Sequence, residues 1–156
     1  MRAAKGFTLV EVVVVMALLA ILSGLAVVNL IGNQREVVAD ASANTLIADL
    51  RTQQMKAMMG DDSGGATAQS YGILFETNSY TLFAGSSYSA SDPNNFEVQI
   101  DGLTIDSTLP ADTVIFNKAS GEVSGFTAGQ NTVTFTNSGG DTTILDINRY
   151  GVVNVL

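Results

Sequence analysis

Apolar residues fill the first part of the chain almost without interruption. From Phe7 to Ile31 the sequence is uncharged except for Glu11, and this run is longer than the roughly 20 helical residues that cross a hydrocarbon core. We therefore expect a transmembrane helix over residues 7–32. Because Arg2 and Lys5 precede the run, the distribution of basic residues favours a cytoplasmic N-terminus and an exported C-terminal part.

The apolar pattern becomes periodic after the first run. Between Asn33 and Met59 neither Pro nor Gly occurs, and apolar residues recur at steps of three and four, which predicts an amphipathic helix over residues 33–60. Gly60 supplies the expected helix end. We expect one continuous helix from about Thr8 to Met59, with Gly32-Asn33 as a weak point. The predicted buried stripe consists of Ala39, Ala43, Leu46, Ile47, Leu50, Ala57 and Met58.

Short segments separated by turn residues follow the predicted helix. Several of them alternate apolar and polar residues, as half-buried antiparallel strands do, and the first two flank Thr77-Asn78 as in a hairpin. We expect residues 61–156 to form an exported antiparallel β-sandwich, with the amphipathic helix covering one face. The fold class is therefore α+β. The predicted strands are 71–76, 79–83, 96–100, 103–105, 113–116, 132–136, 143–147 and 152–155.

Composition narrows the possible chemistry. The 156 residues include 7 basic and 15 acidic ones, a net charge of −8, and neither His nor Cys. An acidic surface repels a phosphate backbone, so nucleic acid is not an expected partner. The commonest zinc, haem and iron–sulfur ligands are missing, as are the usual Ser–His and Cys–His pairs. We expect no enzyme, no catalytic residue, no metal and no cofactor.

Acidic residues in the loops are a separate question. Asp61, Asp62, Asp92 and Asp141 lie in polar turns and offer oxygen ligands of the kind that Ca²⁺ takes. None of these loops has the alternating ligands and terminal Glu of an EF-hand. Solvated turn acids are therefore the favoured interpretation.

Glu11 is a carboxylate inside the apolar run. A charged residue at the centre of a membrane helix costs about 2.5–3.5 kcal/mol, so an acid within such a segment is a functional hypothesis. Incidental snorkelling to the lipid headgroups is the alternative. A secretory signal peptide would have a shorter apolar core, and cleavage near Ser23-Gly24 would leave apolar sequence on a soluble protein.

The N-terminal residues carry a family resemblance. The tract 5–11, Lys-Gly-Phe-Thr-Leu-Val-Glu, followed by an apolar run, resembles the prepilin leader and N-terminal segment of type IV pilins and type II secretion pseudopilins. The resemblance implies that residues 1–6 are a leader, that a prepilin peptidase cleaves between Gly6 and Phe7, and that the new Phe7 amine is N-methylated. It also implies a pilin-like fold, with the long N-terminal helix packed on the β-rich domain.

The resemblance extends to partners and location. It implies other pilin or pseudopilin subunits, an inner-membrane assembly platform, and membrane lipid around the helix before assembly. The implied location is the bacterial inner membrane, followed by a pilus or a periplasmic pseudopilus. In such a filament the Phe7 amine meets Glu11 of a neighbouring subunit. Because unpaired buried charges are costly, this pair specifies the stagger of the subunits.

The remainder of the chain is similar, more loosely, to the H-type minor pseudopilins and related minor pilins. The points of similarity are the tract 39–59 entering the strand at Tyr71, the strand 113–116 with Gly121 after it, and the closing strand before Gly151. The helix lacks the bending Pro of many major pilins, which favours a minor structural subunit. The alternative is a signal-anchored exported β-domain that acts as a ligand-binding module. Secretion, adhesion, motility and DNA uptake all stay open as roles.

Overall fold

The computed structural model describes residues 6, 8–60, 69–100 and 102–156, without the side chains of residues 25–40. Within these residues the chain forms one long helix, then eight strands with a short 3-10 helix among them. The elements are α1 (Leu9–Met59), β1 (Tyr71–Phe75), β2 (Ser79–Ala84), β3 (Phe96–Gln99), β4 (Leu103–Ser107), the 3-10 helix (Pro110–Asp112), β5 (Thr113–Phe116), β6 (Thr132–Asn137), β7 (Thr142–Ile147) and β8 (Val153–Val155).

Helix α1 has a defined cap at each end. Thr8 is the N-cap, and its side-chain oxygen accepts a hydrogen bond of 3.2 Å from the backbone N–H of Glu11. At the other end, Gly60 adopts a left-handed conformation with φ of 70°, and its N–H donates to the Lys56 carbonyl. These bounds confirm the continuous helix and its predicted end at Gly60. The expected weak point at Gly32-Asn33 lies inside the helix.

One stripe of the helix is buried against the strands. Its members recur at steps of three and four residues, and α1 contacts β1 and β5 of one sheet and β6 of the other. The prediction is confirmed for most positions, and Ile47 is partly buried against the core. It is wrong for Met58, whose side chain is 53% exposed. Ala39 lies outside the described side chains. The buried stripe is Ala43, Leu46, Leu50, Gln53 and Ala57.

The strands form two four-stranded antiparallel sheets. The first has the order β3-β2-β1-β5 and the second the order β4-β6-β7-β8. All eight predicted strands are found, and the hairpin of β1 and β2 is confirmed. The α+β class is likewise confirmed, while the face-to-face sandwich stays a prediction. The chain passes to the second sheet at β4, returns to the first at β5, and passes back at β6.

Both sheets and the helix contribute to one hydrophobic core. On β1, Gly72 is required by close packing, because a Cβ there would lie 2.8 Å from the carbonyl oxygen of Val114 and against the ring of Phe83. The largest fully buried side chains are Tyr71, Tyr80, Phe116, Phe135, Leu46, Leu50, Ile73, Leu145, Ile147, Val114 and Val133.

No helix among the described residues has the length and mean hydropathy expected of a membrane span. The predicted segment 7–32 includes Phe7 and the side chains from residue 25 onward, which lie outside the described part. Of the predicted leader, residues 1–5 also lie outside it.

Candidate functional site

The start of α1 presents the residues that the sequence predicts for processing and assembly. Gly6 is exposed, and no described atom would lie within 4 Å of a Cβ built on it. Glu11 is exposed in the first turn of the helix, while Phe7 lies outside the described residues. The structure therefore places Gly6 and Glu11 five residues apart at one helix end, and leaves the Phe7 position as a sequence prediction.

Thr8 and Glu11 form a pair that sequence reasoning missed. The spacing Thr-x-x-Glu is that of a capping box, and the N–H of Glu11 donates to the Thr8 hydroxyl. A carboxylate in the first turn is also favoured by the partial positive charge of the helix N-terminus. The spacing was visible in the sequence. The position of Glu11 in the first turn is therefore favourable for its own helix.

The first turns of α1 expose an apolar surface on all sides. Every described side chain from Thr8 to Gly24 is exposed, including Leu9 at 80% and Met16 at 65%. A soluble monomer rarely leaves a contiguous apolar patch larger than a few hundred Å² in water. The described part of the chain therefore leaves an unusually large apolar surface uncovered.

Side-chain hydrogen bonds join the second half of α1 to the β-rich domain. The Tyr80 hydroxyl donates to Asp49 Oδ2 at 2.6 Å, and burial, followed by this hydrogen bond and the carboxylate charge, raises the Tyr80 pKa. Gln54 Nε2 donates to the carbonyls of Gly121 at 2.9 Å and Tyr150 at 2.7 Å. The helix is thus held at separate points along its length.

The loop acids that the structure describes hold turns together. Asp92 Oδ1 accepts from the backbone N–H of Asn94 at 2.9 Å, and Asp141 Oδ2 accepts from Asn137 Nδ2 at 3.0 Å. Among the described residues no three His, Cys, Asp or Glu side chains come together as a metal site would require. Asp61 and Asp62 lie outside the described residues.

Two surface cavities stand out by size or lining. One of about 430 Å³ lies between the β1–β2, β3–β4 and β6–β7 turns and is lined by polar residues such as Asn78 and Asn137 together with Ile100 and Leu103. Another of about 240 Å³ lies beside the helix and is lined by Gln53 and Lys56 together with residues of β1, β2 and β3. Sequence reasoning gave no sign of either cavity, because each is made by residues from separate elements.

Residues 1–27 match the family model of the prokaryotic N-terminal methylation motif. This match supports a type IV pilin-like family. The matched range includes Gly6, Phe7 and Glu11, and it indicates a substrate of prepilin peptidase that assembles with other pilin subunits. That family is structural and not enzymatic. No curated protein and no solved structure matches the chain.

Proposed function

We propose that this chain is a structural subunit, a minor pilin or pseudopilin, of a type IV pilus-like or type II secretion filament. The observation that carries the proposal is the match of residues 1–27 to the N-terminal methylation motif. A single helix that runs from this motif into a β-rich domain supports it. The looser similarity of the β-domain favours the H-type minor pseudopilins and related minor pilins over a major fibre subunit.

Processing separates a short leader from the mature subunit. Prepilin peptidase cleaves between Gly6 and Phe7, and the new Phe7 amine is methylated. The exposure of Gly6, which no described atom crowds, supports access by a peptidase. The mature chain then consists of a filament-core helix over 7–32, an amphipathic half over 33–60 and a β-sandwich domain over 61–156.

Before assembly, residues 7–32 lie in the bacterial inner membrane with the N-terminus in the cytoplasm and the β-domain outside. The apolar surface of the described residues 9–24 supports this placement, as do Arg2 and Lys5 ahead of the run. During assembly the helix leaves the lipid and packs against helices of other subunits, with the assembly platform supplying the work.

Glu11 sets the stagger between subunits through the Phe7 amine of a neighbour. The exposed position of Glu11 in the first turn supports this role, because its carboxylate is available to a second chain. A misplaced neighbour leaves both charges unpaired in an apolar core, which is strongly destabilising. The correct stagger is therefore selected because every other stagger leaves the Glu11 carboxylate and the Phe7 amine unpaired.

Intact-mass and N-terminal analysis tests the processing step. The full chain is purified from membranes of cells with and without a co-expressed prepilin peptidase. We expect a chain that starts at Phe7 and is heavier by one methyl group only when the peptidase is present, and an unprocessed chain for Gly6→Val. A start at Met1 with the active peptidase, or a cut beyond Ser23, would overturn the proposal.

A pair of Glu11 variants tests the register. Glu11→Gln keeps a polar side chain in the first turn but removes the charge, whereas Glu11→Leu removes both. We expect both variants to insert into the membrane normally and both to lose filament incorporation at least tenfold, as measured by the subunit content of sheared or cross-linked filaments. Normal incorporation of Glu11→Gln would contradict a charge-based register.

A further inference from the structure

Three exposed methionines lie together near the end of α1. The side chains of Met55, Met58 and Met59 are 53%, 53% and 70% exposed. Methionine is among the residue types most often buried, yet the buried stripe of this helix contains none. Packing within the described fold therefore does not account for these three side chains, which we call the methionine cluster.

The spacing brings the three thioethers to one face of the helix. Residues three and four apart on a helix are neighbours, with Cβ atoms about 5–6 Å apart, so Met58 and Met59 both lie beside Met55. A methionine side chain is unbranched and has three rotatable bonds. Because all three side chains are exposed, their sulfur atoms are free to converge on one point above this face.

Packing against the β-domain places one of the three sulfurs. A Cβ built on Gly121 would lie 2.8 Å from Met58 Sδ, so this sulfur rests against the turn after β5, at a residue that has no side chain. More than half of the Met58 side chain stays exposed in this position. Met58 thus provides a fixed sulfur toward which the side chains of Met55 and Met59 can swing.

The charges around the methionine cluster favour a cation. The cluster lies in the last turns of α1 before Gly60, where the helix carbonyls carry a partial negative charge. The Lys56 ammonium, which would repel a metal ion, is 5.6 Å from the centroid of the Tyr71 ring and lines a cavity that the three methionines do not line. Arg51 is exposed one turn before Met55, where solvent and salt screen its charge.

The ligand atoms select the metal. Thioethers are soft ligands that suit Cu(I), whereas hard cations take oxygen ligands. The sequence has five methionines and neither His nor Cys, so the methionine cluster holds most of its soft ligands. We propose that the methionine cluster binds one Cu(I) ion through its three sulfur atoms. The expectation of no metal came from the missing His and Cys and did not consider thioethers.

This site uses only the end of α1 before Gly60, so it is independent of the proposed filament role. Binding changes neither the oxidation state of the metal nor any covalent bond of the protein. An apolar surface that contacts another protein is the alternative role for three exposed methionines. Substitution by leucine separates the two roles, because leucine keeps an apolar side chain of similar volume and removes the sulfur.

NMR of the methionine methyl groups locates the site. The full chain, without an affinity tag, is labelled with ¹³C in its methionine methyl groups, held in detergent and titrated with Ag(I), a redox-inert substitute for Cu(I). The buffer contains neither chloride nor thiol. We expect the signals of Met55, Met58 and Met59 to shift together and to saturate at one equivalent, with no shift at Met16. A different stoichiometry, an equal shift at Met16, or shifts of the same three signals with Ca²⁺ would overturn the proposal.

Competition with a chromophoric Cu(I) chelator, under anaerobic conditions with ascorbate, measures the affinity. We expect Met55→Leu and Met59→Leu each to weaken Cu(I) binding roughly tenfold or more, since even the outer-shell partners of metal ligands contribute about 10–100-fold. Met16→Leu is the matched control, because it removes a thioether outside the methionine cluster, and its affinity should not change. Unchanged affinity in the triple leucine variant of the methionine cluster would contradict sulfur ligation and leave the apolar contact.

Thermal unfolding gives an independent readout. A ligand that binds the folded chain raises the midpoint of unfolding. We expect Ag(I) to raise the midpoint of the unmodified chain and of Met16→Leu, and to leave that of the triple leucine variant unchanged. An equal rise in all three proteins would show that the metal binds elsewhere and would overturn the proposed site.

Discussion

The two ends of α1 belong to one helix but have opposite surroundings. From Leu9 to Gly24 every described side chain is exposed, and almost all of them are apolar. From Ala43 to Ala57 the helix buries one stripe against both sheets and exposes the rest. One continuous helix therefore has two kinds of surface. The first part is apolar, and the rest of the described chain does not cover it. The second part is amphipathic, and its apolar stripe is covered by the strands.

The difference separates residues that stabilise the fold from residues that the described part of the chain leaves uncovered. Leu46 and Leu50 have 0% and 1% exposure, so their burial stabilises the isolated chain. Leu18 and Leu19, at 55% and 52% exposure, are left uncovered by the rest of the described residues and contribute little to that stability. Substitutions in the two regions should thus affect different measurements.

Leu50→Ala should have the largest effect on folding. Removal of a fully buried leucine side chain typically costs about 2–5 kcal/mol, since the cavity closes only in part. Leu18→Ala, the matched control, should change the free energy of unfolding by less than about 0.5 kcal/mol. Urea denaturation of both variants in the same detergent checks this. Equal losses would show that the two regions are not energetically distinct.

Tyr80→Phe should have an intermediate effect, because it removes the hydrogen bond to Asp49 that joins β2 to the helix. Loss of a hydrogen bond to a charged group costs about 1.5–3 kcal/mol. The pH dependence gives a second readout. Unfolded tyrosine ionises near pH 10, whereas the folded Tyr80 pKa is raised, so the stabilisation is present below about pH 10 and is lost as the pH rises further.

The alkaline loss should be smaller in Tyr80→Phe than in the unmodified chain. The comparison is made by thermal unfolding from pH 8 to pH 11. Since the other titrating groups are common to both proteins, the difference between the two curves isolates Tyr80. Parallel curves would contradict the raised pKa.

Thr8→Ala should have the smallest and most local effect. Loss of an N-cap typically costs about 1 kcal/mol of helix stability, and the affected turn lies far along the chain from the buried stripe. We expect faster amide hydrogen exchange at Glu11 and an unchanged unfolding midpoint of the β-domain. Thr8→Ser keeps the hydroxyl and serves as the control. A lowered midpoint in Thr8→Ala alone would mean that the two ends of α1 are coupled.

Periodicity and turn residues were sufficient to predict the strands. The bounds of β5, Thr113–Phe116, are those that the sequence predicts, because buried Val114 and Phe116 alternate with less buried neighbours. The sequence predicts a helix end at Gly60, because a residue without a Cβ readily adopts a left-handed backbone. Gly60 has this conformation in the structure.

The missed features depend on contacts between distant residues. The predicted apolar stripe does not include Gln53, because its side chain is polar, although its position fits the spacing. The 3-10 helix at Pro110–Asp112 was missed because Ala111 and Asp112 have positive φ angles of 52° and 51°, which these residues seldom adopt. A hydrogen bond of 2.8 Å from Ser107 to Asp112 helps to hold that turn.

The order in which the chain enters the two sheets determines when each sheet can be completed during synthesis. The first sheet lacks its β5 edge until residue 116 has been made, although its first three strands end at residue 99. The second sheet receives β4 first but waits for β6, β7 and β8, and so for residue 155. Such non-local pairings form slowly. A partly synthesised chain consequently carries a helix whose contacts with β1, β5 and β6 cannot all form until residue 137 has been made.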